Sequence, residues 1–450
     1  MEDQKKRAAV PLAKKMGISL VCGLGAGMFL LFLREALNGS GKEAVWAVVN
    51  DLLFQDITAK GAERALGILY LIGQLFIRSL QLVIVPMVFT SITLAIGQIS
   101  DTRTLGRISA KTIGWFLICS FFALILGCGA GIGVYKAGLF QVQVEGLSGD
   151  GGSVGANPMN VILNVVPSNL ISAFGSNTSV LAVVFAAVCL GLCMNVLGEE
   201  KTCALRKLVQ EVNDVVVVFL NYVVTKFGPF AIFVLLTRTF ATYGIDYLKP
   251  ALAYVLVAVA MLLVFLAAGY PLVVALGARL NPFIFLKKIT NVAVFGFSTS
   301  SSAATLPLNY QTCTEEFGVD EAIASFVLPL GMTINMNGTA IMQVIATVFI
   351  AGCAGYDISL TQLVVVALLA LIASAGTPAA PGAGAIVLFT ILSGVGFVNE
   401  GALLAYSLIL AINRPIEMLV TALNVVGDAV TSICVARSEG CLDEEKYNKR

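Results

Sequence analysis

Residues Ala322–Ala351 read AIASFVLPLGMTINMNGTAIMQVIATVFIA. The flanks are apolar enough for a membrane helix, yet Thr333-Ile334-Asn335-Met336-Asn337-Gly338-Thr339 holds five positions that are polar or glycine. Facing lipid, these would be costly, so they line a cavity or coordinate something. An unwound turn here would free backbone carbonyls, which are hard-oxygen ligands suited to Na⁺. Hydrogen bonding between helices by Asn and Thr is the plainer alternative.

Two more interrupted stretches flank this one. Asn281 to Gly318 opens NPFIFLKKITNVAVFGFSTSSSAATLPL, with limbs of about 15 residues either side of Ser298–Ala304, too short to cross twice and suited to a re-entrant hairpin. Thr361–Val395 is built the same way around SAGTPAAPGAGA, Ser374–Ala385. Either alone reads equally well as a kinked helix. Together, around a polar-centred helix, they mark a transporter's solute site formed where two hairpin tips meet.

The rest of the chain agrees with a bilayer setting. It has 450 residues, 58% hydrophobic and 12% charged, with a mean hydropathy of +0.91, more apolar surface than one soluble core can hide. Six long apolar segments precede residue 280: Met16–Leu37, Leu66–Ile99, Ile108–Tyr135, Val161–Leu197, Val212–Tyr243 and Leu252–Leu276. Several exceed the roughly 20 residues one crossing needs, so they are tilted, broken or extended. The first is followed by Arg34 and Glu35 without a small-residue cleavage pattern, and reads as a spanning helix rather than a removable signal.

Basic residues gather at every second connection: Lys5, Lys6, Arg7, Lys14 and Lys15, then Arg103, Arg107 and Lys111, then Lys201, Arg206 and Lys207, then Arg279, Lys287 and Lys288. That alternation puts the N-terminus in the cytoplasm. The opposite connections differ: Asn38 to Ala65 mixes signs, and Gln141 to Pro158 is a Gly/Ser-rich loop. A net charge of +1 gives no electrostatic case for nucleic acid. The ten cysteines are scattered and frame neither disulfides nor a zinc site, and histidine is absent, so a carried proton would ride on a carboxyl.

The last apolar segment, Leu403 to Ala436, carries Asn413, Arg414, Glu417, Thr421, Asn424 and Asp428. At about 100° per residue, Asn413, Glu417, Val420, Thr421, Asn424 and Asp428 fall on one face, which must look inward. A carboxylate at that depth needs a cation. For Glu417 the cation is Arg414, in a structural pair, or a substrate amine; Asp428 has no basic neighbour within a turn, which favours a bound ion. The two carboxyls are about three turns apart, so they neither share a proton nor flank one bond, and an enzyme reading is weak.

These residues resemble the dicarboxylate/amino acid:cation symporter family, whose members include aspartate, glutamate and neutral amino acid transporters. The resemblance spans nearly the whole chain and is strongest in STSSSAATLPL (Ser298–Leu308), LPLGMTINMNGTA (Leu328–Ala340), GTPAAPGAGAI (Gly376–Ile386) and TALNVVGD (Thr421–Asp428). It implies an all-α polytopic membrane protein with eight transmembrane helices, two re-entrant helical hairpins, inverted repeats, a homotrimer and an elevator-type transport domain. Carried over, the scaffold comprises residues 1–107 and 137–250, the transport domain residues 108–136 and 251–436, and residues 437–450 form a cytoplasmic tail. The setting it implies is the inner (plasma) membrane of a prokaryote, with both termini cytoplasmic. Asn177 opens a formal glycosylation sequence that bears on this.

The resemblance also implies a site. Cargo would meet the backbone at Ser302, Ala380 and Gly384, and the side chains of Thr339, Glu417, Val420, Thr421 and Asn424; Glu417 would take its amine and Asn424 its α-carboxylate. Relatives that carry acidic cargo hold an arginine where this chain has Val420, because a planar guanidinium matches a carboxylate. Valine there points to a neutral L-amino acid such as serine, alanine or threonine. An acidic amino acid or dicarboxylate, reached by Arg414, and H⁺ in place of Na⁺, are the alternatives. One cation site would use Gly331, Asn335, Asn424 and Asp428, and a second Thr333, Ser374, Ala375 and Thr377. The third is degraded: Phe116, Cys119 and Asn337 replace its tyrosine, hydroxyl and aspartate, leaving Ser120 and the Asn335 side chain. Fewer Na⁺ per cycle follow, because no charge remains there to offset dehydration.

Overall fold

A computed structural model describes residues 12–58, 61–97, 103–141, 166–175, 179–243, 248–375, 377 and 383–449. Among them the chain is helical, apart from one antiparallel bridge between Val319 and Leu442. The N-terminal half contains α1 (Leu12–Gly39), α2 (Glu43–Leu53), α3 (Ile68–Leu82), α4 (Ile84–Gly97), α5 (Arg103–Lys136), α6 (Leu170–Phe174), α7 (Val180–Leu197), α8 (Glu199–Tyr222) and α9 (Gly228–Tyr243). The C-terminal half contains α10 (Leu248–Val264), α11 (Tyr270–Val273), α12 (Pro282–Thr299), α13 (Ser302–Gln311), α14 (Glu321–Ile334) and α15 (Asn337–Cys353). It ends with α16 (Leu360–Ala375), α17 (Ala383–Val395), α18 (Glu400–Ile412), α19 (Arg414–Glu439) and α20 (Glu444–Asn448).

Seven helical runs among the described residues are long and apolar enough to cross a membrane. Their large apolar side chains stay outside, as a lipid solvent allows: Leu117, Phe121 and Ile125 on α5, and Val215 and Val218 on α8, are all exposed. The opposite holds at the centre. Every residue of α15 is buried.

Local signals account for where several spans differ from the apolar runs. Leu66–Ile99 divides at Val83, and Pro86 falls in the first turn of α4, where its missing N–H is not needed. Val161–Leu197 does not form one helix: among the described residues, Asn169 caps the short α6 by accepting from the Ser172 N–H at 3.1 Å, and α7 begins only at Val180. The basic cluster Lys201, Arg206 and Lys207 lies inside α8 rather than in a loop. Gly198, at φ 82°, separates α7 from α8, and Glu199 and Glu200 then occupy the electropositive first turn. α8 continues through a π turn at Val223–Phe227 into α9. Asn38–Ala65 holds the amphipathic α2, and the Gln141–Pro158 loop and Asn177 lie mostly or wholly outside the described residues.

The polar-centred segments break as their sequences predict. Asn281 caps α12 (Oδ1 to the Phe283 N–H, 2.9 Å) and Asp320 caps α14 (to the Ala322 N–H, 2.9 Å). Between α12 and α13 the chain turns through Ser300, which holds a left-handed φ of 51°. Ser301 then caps α13, accepting from the Ala304 N–H at 3.3 Å. α14 stops at Ile334, Asn335 and Met336 leave helical geometry, and α15 starts at Asn337. Leu403–Ala436 departs from the single helix expected. It is two helices joined at Asn413, because Pro415 in the first turn of α19 has no N–H to give back to α18.

Packing sorts the helices into two groups: α1 lies on α9 and α4 on α7 and α8, while α5 and α10 join α15, and α12, α14 and α15 lie against α19. α9 also touches α18. The end of α19 is tied to α5 through Glu439, 2.6 Å from both Arg107 and Lys111. Residues 437–448 are docked. Tyr447 is fully buried and donates to the Asn281 carbonyl at 2.9 Å, and Lys288 Nζ donates to the carbonyls of Glu316, Lys446 and Tyr447 at 2.8, 2.9 and 2.8 Å.

Candidate functional site

The α14–α15 break and the middle of α19 meet in the core, and their polar side chains form one connected network. Asn335 Nδ2 donates to Asp428 Oδ1 at 3.0 Å. Asn337 Nδ2 donates to Asn335 Oδ1 at 2.8 Å and to the Tyr270 hydroxyl at 3.0 Å, and Asn337 Oδ1 accepts from Ser120 Oγ at 2.7 Å. All five are buried: Asp428 is 3% exposed and Asn335 and Asn337 are 0%. No ion pair to Asp428 is present among the described residues, so its nearest partner is a neutral amide.

Glycine sets the closeness of this contact. A Cβ on Gly331 would lie 2.5 Å from Asp428 Oδ1, so α14 and α19 approach here only because that atom is missing. Of the predicted cation ligands, Gly331, Asn335 and Asp428 are therefore brought together, and Asn424 lies one turn before Asp428 on α19. The second set lies on two packed helices: Thr333 near the end of α14, and Ser374 and Ala375 at the end of α16 with Thr377 just beyond. Helix C-termini present unpaired carbonyls and a partial negative charge, the right polarity for a cation. The hydroxyls there are turned back: Thr333 to the Leu330 carbonyl at 3.0 Å, Ser374 to Leu371 at 3.0 Å and Thr377 to Ala373 at 2.9 Å.

Of the four degraded positions, Phe116 and Cys119 are buried apolar neighbours, whereas Ser120 and Asn337 join the network. The Asn337 amide makes two donations that an aspartate could not, which gives a physical account of asparagine here. Tyr270 is its partner. Sequence reasoning missed it, although a tyrosine beside a proline within an apolar run is the kind of intramembrane polar group that signals a site.

Of the predicted cargo residues, Thr339, Gly384, Glu417, Val420, Thr421 and Asn424 lie on three neighbouring helices, α15, α17 and α19. Asn424 accepts from the Gly338 N–H at 2.8 Å, and its Nδ2 donates to Thr339 Oγ1 at 3.1 Å. A Cβ on Gly338 would sit 2.9 Å from the Val420 carbonyl, so α15 and α19 are also in glycine-permitted contact. The Thr421 hydroxyl donates to the Glu417 carbonyl at 3.0 Å. Glu417 Oε1 accepts from the Ala385 N–H at 3.4 Å, and Oε2 lies 3.7 Å from Arg414 Nη1. Gly384 meets α15 through Gln343, whose Nε2 donates to the Gly384 carbonyl at 3.0 Å. Gln343, Asn309 (to the Val425 carbonyl, 2.8 Å) and the Tyr254–Asn413 pair (2.6 Å) are further buried polar contacts on these helices, and of the four only Asn413 was picked from the sequence. Ser302, the first residue of α13, joins these helices through the packing of α12 and α13 on α19 rather than through a hydrogen bond among the described residues. Ala380 lies outside the described residues.

Among the described residues, a buried polar network lies where helices break, inside an all-helical molecule with an apolar exterior. The sequence pattern of the Sodium:dicarboxylate symporter family matches residues 12–438. The chain belongs to this symporter family. Its relatives within and beyond bacteria are numerous. It is 30% identical to the proton/sodium-glutamate symport protein of Bacillus caldotenax, over 83% of this chain and 89% of the relative. It is also 30% identical to the proton/glutamate-aspartate symporter of Escherichia coli strain K12, over 83% and 86% of the two chains. The C4-dicarboxylate transport protein of Bacillus subtilis is 27% identical over 83% and 88%. The family is one of multi-pass membrane proteins that carry dicarboxylates or amino acids together with a cation, and its members are transporters rather than enzymes.

Proposed function

We propose that this symporter couples Na⁺ movement to the uptake or exchange of a neutral L-amino acid such as serine, alanine or threonine. Val420 carries this reading. It is 5% exposed between Glu417 and Asn424 on α19 and offers only methyl groups to the cargo side chain. An anionic side chain buried against it would lose its hydration without gaining a partner. Glu417 takes the cargo amine and Asn424 the α-carboxylate, with Thr339, Thr421 and the backbone at Ser302, Ala380 and Gly384 closing the cradle.

Na⁺ is held by Asp428 with carbonyls of Gly331, Asn335 and Asn424, and by Thr333, Ser374, Ala375 and Thr377. The buried Asp428, partnered only by an amide among the described residues, supports the first of these. The surrounding architecture is that of eight spans and two re-entrant hairpins, α12–α13 and α16–α17, in an elevator-type homotrimer with both termini cytoplasmic.

A second reading has a specific basis. The relatives reported above are named for glutamate, aspartate or C4-dicarboxylates, and Arg414 carries buried donors without hydrogen-bond partners among the described residues. In that reading Arg414 holds an acidic side chain. Purified protein in liposomes separates the two: an inward Na⁺ gradient should drive labelled serine, alanine or threonine. Aspartate uptake without any of these would refute the neutral reading, and uptake that follows a pH gradient in Na⁺-free buffer would refute the choice of cation.

A further inference from the structure

Arg414 is in an unusual place for a cation. It is the first residue of α19, where the helix dipole disfavours positive charge, so it is not there to stabilise the helix end. Its side chain is 12% exposed and that of Glu417 is 10%. Yet the pair is open: Nη1 stands 3.7 Å from Oε2, and both Nε and Nη1 are buried without a hydrogen-bond partner among the described residues. A permanent structural pair of Arg and carboxylate closes to about 2.7–2.9 Å with two parallel hydrogen bonds. This one leaves Nε and Nη1 unspent among the described residues. An unspent acceptor lies on α15: among the described residues Gln343 Oε1 is buried without a partner while Gln343 Nε2 holds Gly384, the neighbour of the Ala385 that donates to Glu417.

We propose that Arg414 is a tethered counter-cation that stands in for the cargo amine at Glu417 when the carrier returns without cargo, so that net uptake is possible and not only exchange. This rests on the reading that Glu417 receives the cargo amine. A buried carboxylate must be compensated wherever it moves inside the membrane. Cargo does so with its ammonium on the loaded stroke. On the return stroke the guanidinium, already beside Oε2, closes the gap. When an ammonium takes Glu417, the freed guanidinium meets Gln343 Oε1, and both orphaned groups are satisfied.

The test compares two fluxes in Arg414→Gln, which keeps the size and removes the charge. Net Na⁺-driven uptake of labelled serine into empty liposomes should fall by about a hundredfold, the scale of an uncompensated buried charge. Exchange of labelled serine against internal serine should stay within about threefold, since neither stroke then travels without an ammonium. Arg414→Lys should recover part of the net flux. Equal loss of both fluxes would overturn the proposal, as would retention of both. Thermal stabilisation of Arg414→Gln by serine in Na⁺ shows that the variant is folded and binds. If the unaltered protein shows neither serine stabilisation nor serine exchange, the assignment of cargo fails instead.

Discussion

At position 420, in the proposed cargo site, the side chain ends in two methyl groups and offers no partner to an anion. Val420→Arg supplies a planar donor pair one short turn from Glu417, so the ratio of aspartate to serine uptake should rise by about tenfold or more, the discrimination that one charge-assisted pair affords. A ratio that does not move would place side-chain recognition elsewhere. Position 337 tests the cation side. Asn337→Asp restores a carboxylate among Ser120, Asn335 and Tyr270 but removes the two donations to Asn335 and Tyr270. Without Na⁺ the variant should lose about 1–3 kcal/mol of stability, the cost of unsatisfied buried groups. With Na⁺ it should gain more than the parent, because the new charge offsets ion dehydration. Denaturation with and without Na⁺ measures both, and equal Na⁺ stabilisation of parent and variant would show that this position is not a cation ligand.

Among the elements, the contact of α15 with α19 depends on Gly338. A Cβ there would come within 2.9 Å of the Val420 carbonyl and 3.1 Å of Asn424 Oδ1. Gly338→Ala should therefore abolish cargo-dependent stabilisation before it unfolds the protein, since the shift falls on Asn424. If serine protects this variant as it does the parent, Asn424 is not a cargo ligand. The docked C-terminus makes a different kind of prediction. Tyr447 packs tilted against Phe317, which stacks on Phe285, while the Tyr447 hydroxyl reaches the start of α12. Gly318 accepts from the Asp443 N–H at 2.8 Å, and Arg437 pairs with Glu444. Tyr447→Ala removes a fully buried aromatic ring and should cost about 3–5 kcal/mol. Thermal denaturation in detergent should show it, and an unchanged midpoint would mean that residues 440–448 do not brace α12 and α13.

For the whole molecule, the decisive feature of the proposed assignment is that Asn424 belongs to both the cation and the cargo set. Asn424 touches Gly338 and Thr339 at the helix break and lies one turn from Asp428. Two ligands that order the same residue without competing for the same atoms favour each other, and the coupling is reciprocal. The factor by which Na⁺ raises serine affinity should equal the factor by which serine raises Na⁺ affinity, and both should collapse in Asn424→Ala. Titration calorimetry in both orders checks this; independent affinities would dissociate the two sites. Such coupling suits a symporter, because it holds down the population of carriers loaded with only one of the two.

Much of this was legible in the residues themselves. Period and composition revealed the membrane class, and the Asn, Gly, Ser and Pro interruptions revealed where helices break, because lipid makes each unpaired backbone group expensive and so confines such breaks to a polar interior. Val420 and Asn337 stood out only as departures from the residues that the family resemblance implies at those positions. The tertiary structure alone decided what closes each site. Tyr270 and Ser120 reach Asn337 across gaps of 67 and 217 residues, and Gln343 reaches Gly384 across 41. A pattern along the chain carries no such information, because partners distant in sequence are chosen by which helices pack together. The openness of the Arg414–Glu417 pair belongs to the same class. Spacing of three residues permits a pair, but only packing around Ala385 and α18 sets it at 3.7 Å.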